Sequence, residues 1–221
     1  MILVGQFDSP FVRRVAVALN ILGLPYRHDP WSAFGDPHRL AALNPLGRVP
    51  ALVLDDGEVL IESAAILDHL DEIAGEARLI APRGPERRTM LRICAMATGL
   101  CDKMVGLLYE RLMHDTVSEV WAARCSDQIE ATLSALEATR AGCGTTFWFG
   151  PTPGHADIAV ACALRFLAEV HSRLDAPARR PHLAAHAAAC EAMSAFAAAV
   201  QPFTAPRRPL PGSAAAGAAQ C

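Results

Sequence analysis

The sequence has no excess of basic residues. Its 20 lysine and arginine residues stand against 23 aspartate and glutamate residues, which gives a formal net charge of -3 at pH 7. A protein that binds nucleic acid or an anionic membrane needs a basic surface to neutralise phosphate, and this composition does not supply one. We therefore expect neither partner, and a small ligand or another protein fits the composition better.

The chain also lacks any uncharged run that is long and hydrophobic enough to cross a bilayer, since a membrane-spanning helix needs about 20 residues. The closest stretch is the alanine-rich 192–206. The first five residues lack the basic start and the apolar core of about 7 to 15 residues that mark a secretory leader. These absences predict a cytoplasmic protein. Its 52% hydrophobic content over 221 residues is enough for a sizeable core without disulfides.

Cysteine is absent before Cys94, and the seven cysteines of the chain include no C-x-x-C pair. This odd number and spacing argue against a disulfide framework and against a zinc site. Cys94 and Cys101 lie seven residues apart in an apolar run, which predicts small buried side chains on one helix face. His182 and His186 have a spacing that can bind metal, but no third ligand lies nearby. We expect a solvated histidine pair and no metal.

The first 79 residues alternate between strand and helix patterns. Apolar residues run continuously at 2–4, recur at helical spacing over 10–22, and flank an Asp-Gly turn in the hairpin 51–61. Arg13 and Arg14 fall on the side of the first helix opposite its apolar residues. The predicted elements, in order, are strand 2–4, helix 10–22, strand 26–28, a helix beginning at 37, strands 51–54 and 59–61, and helix 63–74. This βαβ-αββα order fits a small α/β sheet.

A turn-rich linker at 80–86 precedes a half in which every pattern is helical. The predicted helices are 90–113, 117–140, 156–174 and alanine-rich helical sequence at 181–200. The final residues are rich in proline, alanine and glycine, which is typical of disorder. We therefore divide the chain into an α/β domain at 1–79, the linker, an all-helical domain at 87–200 and a disordered tail at 201–221.

Three motifs in the N-terminal half occur in the order found in a known family. They are SPFVRR at 9–14, NPLGRVPAL at 44–52 and ESAAI at 62–66. Over about residues 1–200 the chain resembles a cytosolic glutathione S-transferase of the serine-dependent bacterial type. The resemblance implies a thioredoxin-like N-terminal domain, an all-α C-terminal helical bundle, glutathione as co-substrate, a hydrophobic electrophile as second substrate, and a homodimer.

A fourth motif of this family is only partly present. The family usually caps one C-terminal helix with serine or threonine and has aspartate three residues later. Here Asp157 is retained but Gly154 occupies the cap position. Glycine is an acceptable cap, so the fold is expected to tolerate the change, and Asp157 is predicted to be structural.

Ser9 is placed to cap a helix and to stabilise an anion. Pro10 has no N–H, so a capping Ser9 hydroxyl has to accept from the amide of Phe11 or Val12. The same position puts the hydroxyl at the positive end of a helix, and lowering a thiol pKa there by about 2 units takes about 2.7 kcal/mol. Ser9 would then be catalytic as a hydrogen-bond donor. A serine hydrolase would need a G-x-S-x-G elbow, and disulfide exchange would need cysteine here.

The remaining motif residues match the charged ends of glutathione. Ser63 could bind a carboxylate through its hydroxyl and amide or could only cap a helix, and Glu62 could accept from the ammonium or be solvated. Arg48 could hold the glycyl carboxylate or be a surface arginine. An X-Pro bond by itself favours trans. The family resemblance implies a cis bond at Pro50 and a backbone contact from Val49 to the cysteinyl part of glutathione.

The electrophile is expected between the two domains. We expect Met104, Leu108 and Tyr109 of the first long helix to line that region, with Phe11 near it, although residues at such helical spacing could also be plain core. Conjugation of glutathione to a hydrophobic electrophile is the leading hypothesis. Glutathione-dependent isomerisation, dehalogenation and peroxide reduction can start from the same thiolate. A binding or regulatory protein without turnover is the competing hypothesis, and the presence of all three motifs counts against it.

Overall fold

Four short strands form one mixed sheet in the N-terminal half. The computed structural model describes residues 1–206, so 207–221 of the predicted disordered tail lie outside the described residues. The strands are β1 (Ile2–Val4), β2 (Arg27–Asp29), β3 (Ala51–Val53) and β4 (Val59–Ile61). Their order across the sheet is β2-β1-β3-β4, with β1 parallel to β2 and antiparallel to β3. This topology confirms the thioredoxin-like prediction, and β2 lies one residue later than expected.

Three helices complete this domain: α1 (Pro10–Leu22), α2 (Pro37–Leu43) and α3 (Ser63–Ala74). Helix α1 begins where Ser9 caps it and Pro10 supplies a preset φ in the first turn. It ends at Gly23, whose φ of 65° is left-handed and therefore suits glycine. The two ends of α1 thus follow directly from local sequence.

The C-terminal half contains five α-helices within the described residues, in agreement with the prediction that this half is helical. They are α4 (Gly84–Met113), α5 (Glu119–Ala141), α6 (His155–Val170), α7 (Pro181–Glu191) and α8 (Ser194–Ala197). Helix α4 starts six residues earlier than predicted, because Pro85 is compatible with a first helical turn. The alanine-rich segment 181–200 is divided between α7 and α8. No helix within 1–206 is long and apolar enough to cross a membrane.

Arg13 and Arg14, which the sequence places opposite the apolar stripe of α1, are both buried. Their exposed fractions are 2% and 5%. Helix α1 packs against α3 on one side and against α6 and α8 on another, so its second face meets the C-terminal domain. Arg13 donates through Nη1 and Nη2 to the two carboxylate oxygens of Glu191 at 2.6 and 2.7 Å. The second face of α1 is therefore part of the domain interface.

His186 is also buried, which overturns the expectation of a solvated histidine pair. It is 1% exposed, whereas His182 is exposed. The His186 ring packs edge-on against Trp148 at 4.7 Å, and its Nδ1 lies 3.8 Å from Oδ1 of Asp157. Asp157 accepts from the amides of Trp148 and Gly154, both at 2.9 Å, and so caps α6. Helix α7 turns His186 inward because α6 and the 147–150 loop cover that face.

Burial lowers the pKa of His186 to about 4, since the charged ring would be poorly solvated. The unfolded chain binds this proton near pH 6.5, so the stabilisation by neutral His186 is complete above about pH 6.5 and is lost as the pH falls toward 4. In urea titrations, wild type should lose about 2 kcal/mol more between about pH 7.5 and pH 5 than His186→Gln does. His182→Gln should behave like wild type, and an equal loss in both variants would contradict the assignment.

Candidate functional site

A cavity of about 770 Å³ opens between the two domains. Its wall is formed by the β1–α1 loop, the loop before β3, the start of α3 and one face of α4. All but one of the residues predicted to touch glutathione or the electrophile line it: Ser9, Phe11, Arg48, Val49, Glu62, Ser63, Leu108 and Tyr109. The tertiary structure thus brings together residues that are separated by up to about a hundred positions in the chain.

Met104 is the predicted pocket residue that does not line the cavity. It is fully buried, in the core cluster shared by α4, α5 and α6. The cavity face of α4 instead carries Asp102, Val105 and Tyr109, which recur at helical spacing. Met104 lies on the opposite side of that stripe, so the interpretation of it as plain core is correct.

Ser9 has the geometry of a helix cap whose hydroxyl proton remains available. Its backbone is extended, with φ -72° and ψ 123°, and its Oγ accepts from the amide of Val12 at 3.4 Å. A serine hydroxyl that accepts from one amide still has its own O–H to donate. Ser9 lies at the cavity wall, so this O–H can be donated to an anion there.

Glu62 and Ser63 lie at the start of α3. Ser63 is the first helical residue and is 4% exposed, and Glu62 occupies the N-cap position without a capping hydrogen bond from its side chain. Glu62 has φ 66° and ψ 124°, and within 1–206 it is the only non-glycine residue with positive φ. Side-chain-bearing residues adopt such backbone only at a cost, and this kind of strain concentrates at functional sites. Glu62, Ser63 and Ala64 all line the cavity, so the start of α3, with its free amides, borders it.

Arg14 is a site residue that the sequence interpretation missed. It lines the cavity, is 5% exposed, and donates through Nη1 to Ser63 Oγ at 3.4 Å. Its Nε has no hydrogen-bond partner among residues 1–206. Burial lowers the pKa of Arg14, and the nearby cysteines Cys94, Cys101 and Cys162 act in the opposite direction. A buried guanidinium beside a serine hydroxyl and a helix N-terminus is suited to bind a carboxylate.

The loop before β3 supplies the opposite wall. Asn44 is fully buried, and its Nδ2 donates to the carbonyl of Arg48 at 3.0 Å, which leaves the Arg48 side chain exposed at the cavity rim. The Val49-Pro50 bond is cis. Val49 packs closely on Gly5, where an added Cβ would lie 2.8 Å from the Val49 Cβ. The end of β1 therefore needs glycine to let this loop approach.

The cavity has an aromatic side that was only partly predicted. Phe34 contacts Tyr109 edge-on with ring centres 5.3 Å apart, and Phe166 contacts Phe203 in the same way at 6.1 Å. All four rings line the cavity together with Phe11. Phe34 comes from the β2–α2 loop and Phe203 from the end of the described chain, and no local pattern marked either one.

Residues 201–206, called the strap below, were expected to belong to a disordered tail. They instead cross the cavity. The amide of Thr204 donates to Asp8 Oδ2 at 3.1 Å, and the amide of Phe203 donates to Glu169 Oε2 at 3.0 Å. These contacts come from both domains, so the strap forms part of the cavity wall.

The fold and this site define a two-domain protein of the thioredoxin-like, helical-bundle class. Residues 3–78 match the family described as glutathione S-transferase, N-terminal domain, and residues 119–189 match the corresponding C-terminal domain. The chain is 33% identical to maleylacetoacetate isomerase of Pseudomonas aeruginosa, over 92% of this chain and 99% of that protein. The chain belongs to the glutathione S-transferase family.

Solved structures agree with this assignment. A glutathione S-transferase from Methylobacterium radiotolerans in complex with glutathione sulfonate superposes with a TM-score of 0.85 and 27% identity, over 92% of this chain and 97% of that chain. A family member from Pseudomonas fluorescens with bound glutathione gives a TM-score of 0.77 and 30% identity, over 95% and 99%. Within 1–206 no cluster of three side chains suited to a metal ion occurs.

The strained backbone at Glu62 predicts that a glycine at this position stabilises the fold. Glu62→Gly removes the cost of a positive φ and should raise the free energy of unfolding by about 1 kcal/mol in urea titrations. Glu62→Gln keeps a Cβ at the same φ and should leave the unfolding free energy close to that of wild type. Equal stability of the glycine and glutamine variants would show that the turn is not strained.

Proposed function

We propose that this chain binds glutathione in the cavity and activates its thiolate for attack on a hydrophobic electrophile. The observation that carries the proposal is that α1 and α3 both begin at this cavity, with Ser9 and Ser63 at their first turns. Two helix N-termini at one cavity suit a ligand with more than one negative group. The structures of relatives with bound glutathione or glutathione sulfonate support the same ligand.

The γ-glutamyl end of glutathione fits the start of α3. Its carboxylate would accept from the Ser63 hydroxyl, from free amides of α3 and from the Arg14 guanidinium. The Glu62 carboxylate is exposed at the cavity wall and would accept from the ammonium. Arg14 then gains the anionic partner that it lacks among the described residues, which offsets the cost of its burial.

The other end of glutathione fits the loop before β3. Arg48 is exposed at the rim, where its guanidinium can pair with the glycyl carboxylate. The backbone of Val49 would contact the cysteinyl part, because Val49 lines the cavity beside Arg48 and packs on Gly5 at the end of β1. The three groups of the tripeptide thus meet partners in the order Glu62–Ser63, Val49, Arg48.

Ser9 is the residue we assign to catalysis. Its O–H would donate to the sulfur, and the start of α1 adds a favourable electrostatic contribution, so the thiolate is populated near neutral pH. The thiol proton leaves to solvent, and the sulfur lone pair forms the bond to the electrophile. Ser9 itself forms no covalent bond.

A glutathione-dependent isomerase is the second candidate. The 33% identity to maleylacetoacetate isomerase, over nearly the whole of both chains, favours it. In that reaction class glutathione is regenerated after each turnover. Product analysis separates the two candidates, because conjugation consumes glutathione and isomerisation does not. The homodimer implied by the family resemblance stays a prediction.

Two serine variants separate binding from activation. Ser63→Ala should raise the calorimetric Kd for glutathione by about tenfold, because it removes one hydrogen bond to a charged group. Ser9→Ala should leave this Kd nearly unchanged and lower kcat about tenfold or more, because the hydrogen bond from Ser9 to the sulfur is strong only when the sulfur is a thiolate. Ser172→Ala, on the surface after α6, serves as the control. A wild-type protein that shows no saturable glutathione binding would overturn the proposed function.

Removal of the strap should weaken binding of the electrophile and leave the affinity for glutathione unchanged. A chain ending at 200 loses Phe203 and the other strap residues from the cavity wall, so KM for an aromatic acceptor should rise several-fold. The glutathione Kd should stay close to that of the full chain. A chain ending at 206 keeps the strap and is the matched control. If the chain ending at 200 had the same KM for the acceptor as the full-length chain, the strap would not contact the acceptor.

A further inference from the structure

The cavity wall carries more carboxylates than the charged groups of glutathione can pair with. Two are cations, Arg14 and Arg48, and three are carboxylates, Asp8, Glu62 and Asp102. Under the proposed function, the two arginines hold the two carboxylates of glutathione and Glu62 holds its ammonium. Asp8 and Asp102 then remain, and no cation among the described lining residues remains with them. Among the lining residues within 1–206, the space left for the second substrate therefore has only negatively charged side chains.

Asp8 is held in a defined position beside the reacting sulfur. It directly precedes Ser9, is half-buried, and accepts from the strap amide of Thr204 at 3.1 Å. Burial raises the pKa of Asp8, with the carboxylate of Glu169 adding to this effect, while hydrogen bonds from backbone amides act in the opposite direction. An anchored carboxylate at this point repels a second anion more effectively than a mobile surface group would, because it cannot turn away.

Asp102 lies on the face of α4 that lines the cavity. It lies seven residues before Tyr109, which is two helical turns, so both side chains face the cavity. Burial raises the pKa of Tyr109, so its phenol stays protonated and can donate a hydrogen bond at neutral pH. Tyr109 also contacts Phe34 edge-on. This side of the cavity therefore combines aromatic surface with a neutral donor and a carboxylate.

We propose that Asp8 and Asp102 are specificity-determining residues, which exclude from the second-substrate space acceptors that carry a carboxylate. The proposal rests on the proposed function, since it assigns both arginines to glutathione. Rings of Phe11, Phe34 and Tyr109 supply apolar contact for a planar acceptor. The two aspartates supply the repulsion that distinguishes a neutral acceptor from an anionic one of the same shape.

The test uses two aryl chlorides that differ in one charge, 4-chloro-3,5-dinitrobenzamide and 4-chloro-3,5-dinitrobenzoate. In both, the glutathione sulfur forms a C–S bond, the C–Cl bond breaks, chloride leaves with the bonding electron pair, and the thiol proton goes to solvent. Each kcat/KM is divided by the uncatalysed rate constant with glutathione, which removes the difference in intrinsic reactivity. This quotient is the acceleration of each acceptor.

Wild type should accelerate the amide about tenfold more than the carboxylate, as expected for repulsion between partly solvated charges a few ångströms apart. Asp8→Asn and Asp102→Asn should each reduce this preference several-fold, chiefly by improving the carboxylate. Asp127→Asn, on an exposed position of α5, should leave the preference unchanged. Calorimetric titration of each variant with glutathione is run in parallel.

The outcomes separate the two proposals. If glutathione binds but the carboxylate acceptor is accelerated as much as the amide, the specificity proposal is wrong and the proposed function stands. If glutathione binds and neither aryl chloride is accelerated, the specificity proposal is wrong, because it requires acceleration of the amide. An unchanged preference in both aspartate variants would overturn the roles of Asp8 and Asp102. If glutathione does not bind, the proposed function and the specificity proposal both fail.

Discussion

Arg13 and Glu191 form the contact on which the geometry between the two domains depends. The arginine is on α1 of the α/β domain, the glutamate is the last residue of α7, and both guanidinium Nη atoms are engaged. Arg13 Nε also donates to the carbonyl of Ala199 at 2.8 Å. Removing a cation from water is costly unless its donors find strong acceptors, and the bidentate carboxylate meets that requirement. The pair fixes α1 against the C-terminal domain, and α1 carries Ser9 at its start.

Arg14 is adjacent to Arg13 in sequence but has the opposite surroundings. Successive residues of a helix point about 100° apart, so the first arginine reaches α7 and the second reaches the start of α3. Arg14 finds only a hydroxyl there, at 3.4 Å, and its Nε is unpartnered among the described residues. In the folded chain the hydrogen bonds of this guanidinium are incompletely satisfied, and the backbone of Glu62 nearby is strained. Both features destabilise the fold at the same end of the cavity. A charged ligand bound there would offset the incomplete hydrogen bonding of Arg14.

The strap contacts both domains beside the cavity. It is held by carboxylates of both domains, Asp8 at the β1–α1 loop and Glu169 on α6. Asp8 also lines the cavity, so the same side chain holds the strap and contributes negative charge to the wall. Under the proposed specificity, this arrangement would let a cavity with aromatic walls distinguish between acceptors of similar shape.

Local sequence was sufficient for the helices, the hairpin and the three motifs, because capping, periodicity and turn chemistry act over a few residues. Ser9 as the cap of α1 is an example, since only Pro10 and Val12 are involved. The burial of Arg14 and His186, the inward position of Met104 and the order of the strap were decided by tertiary structure. Each depends on which helix covers a given face, and the contacts concerned join residues up to 196 positions apart. Periodicity specifies that a face is apolar or polar, but only packing determines what it meets.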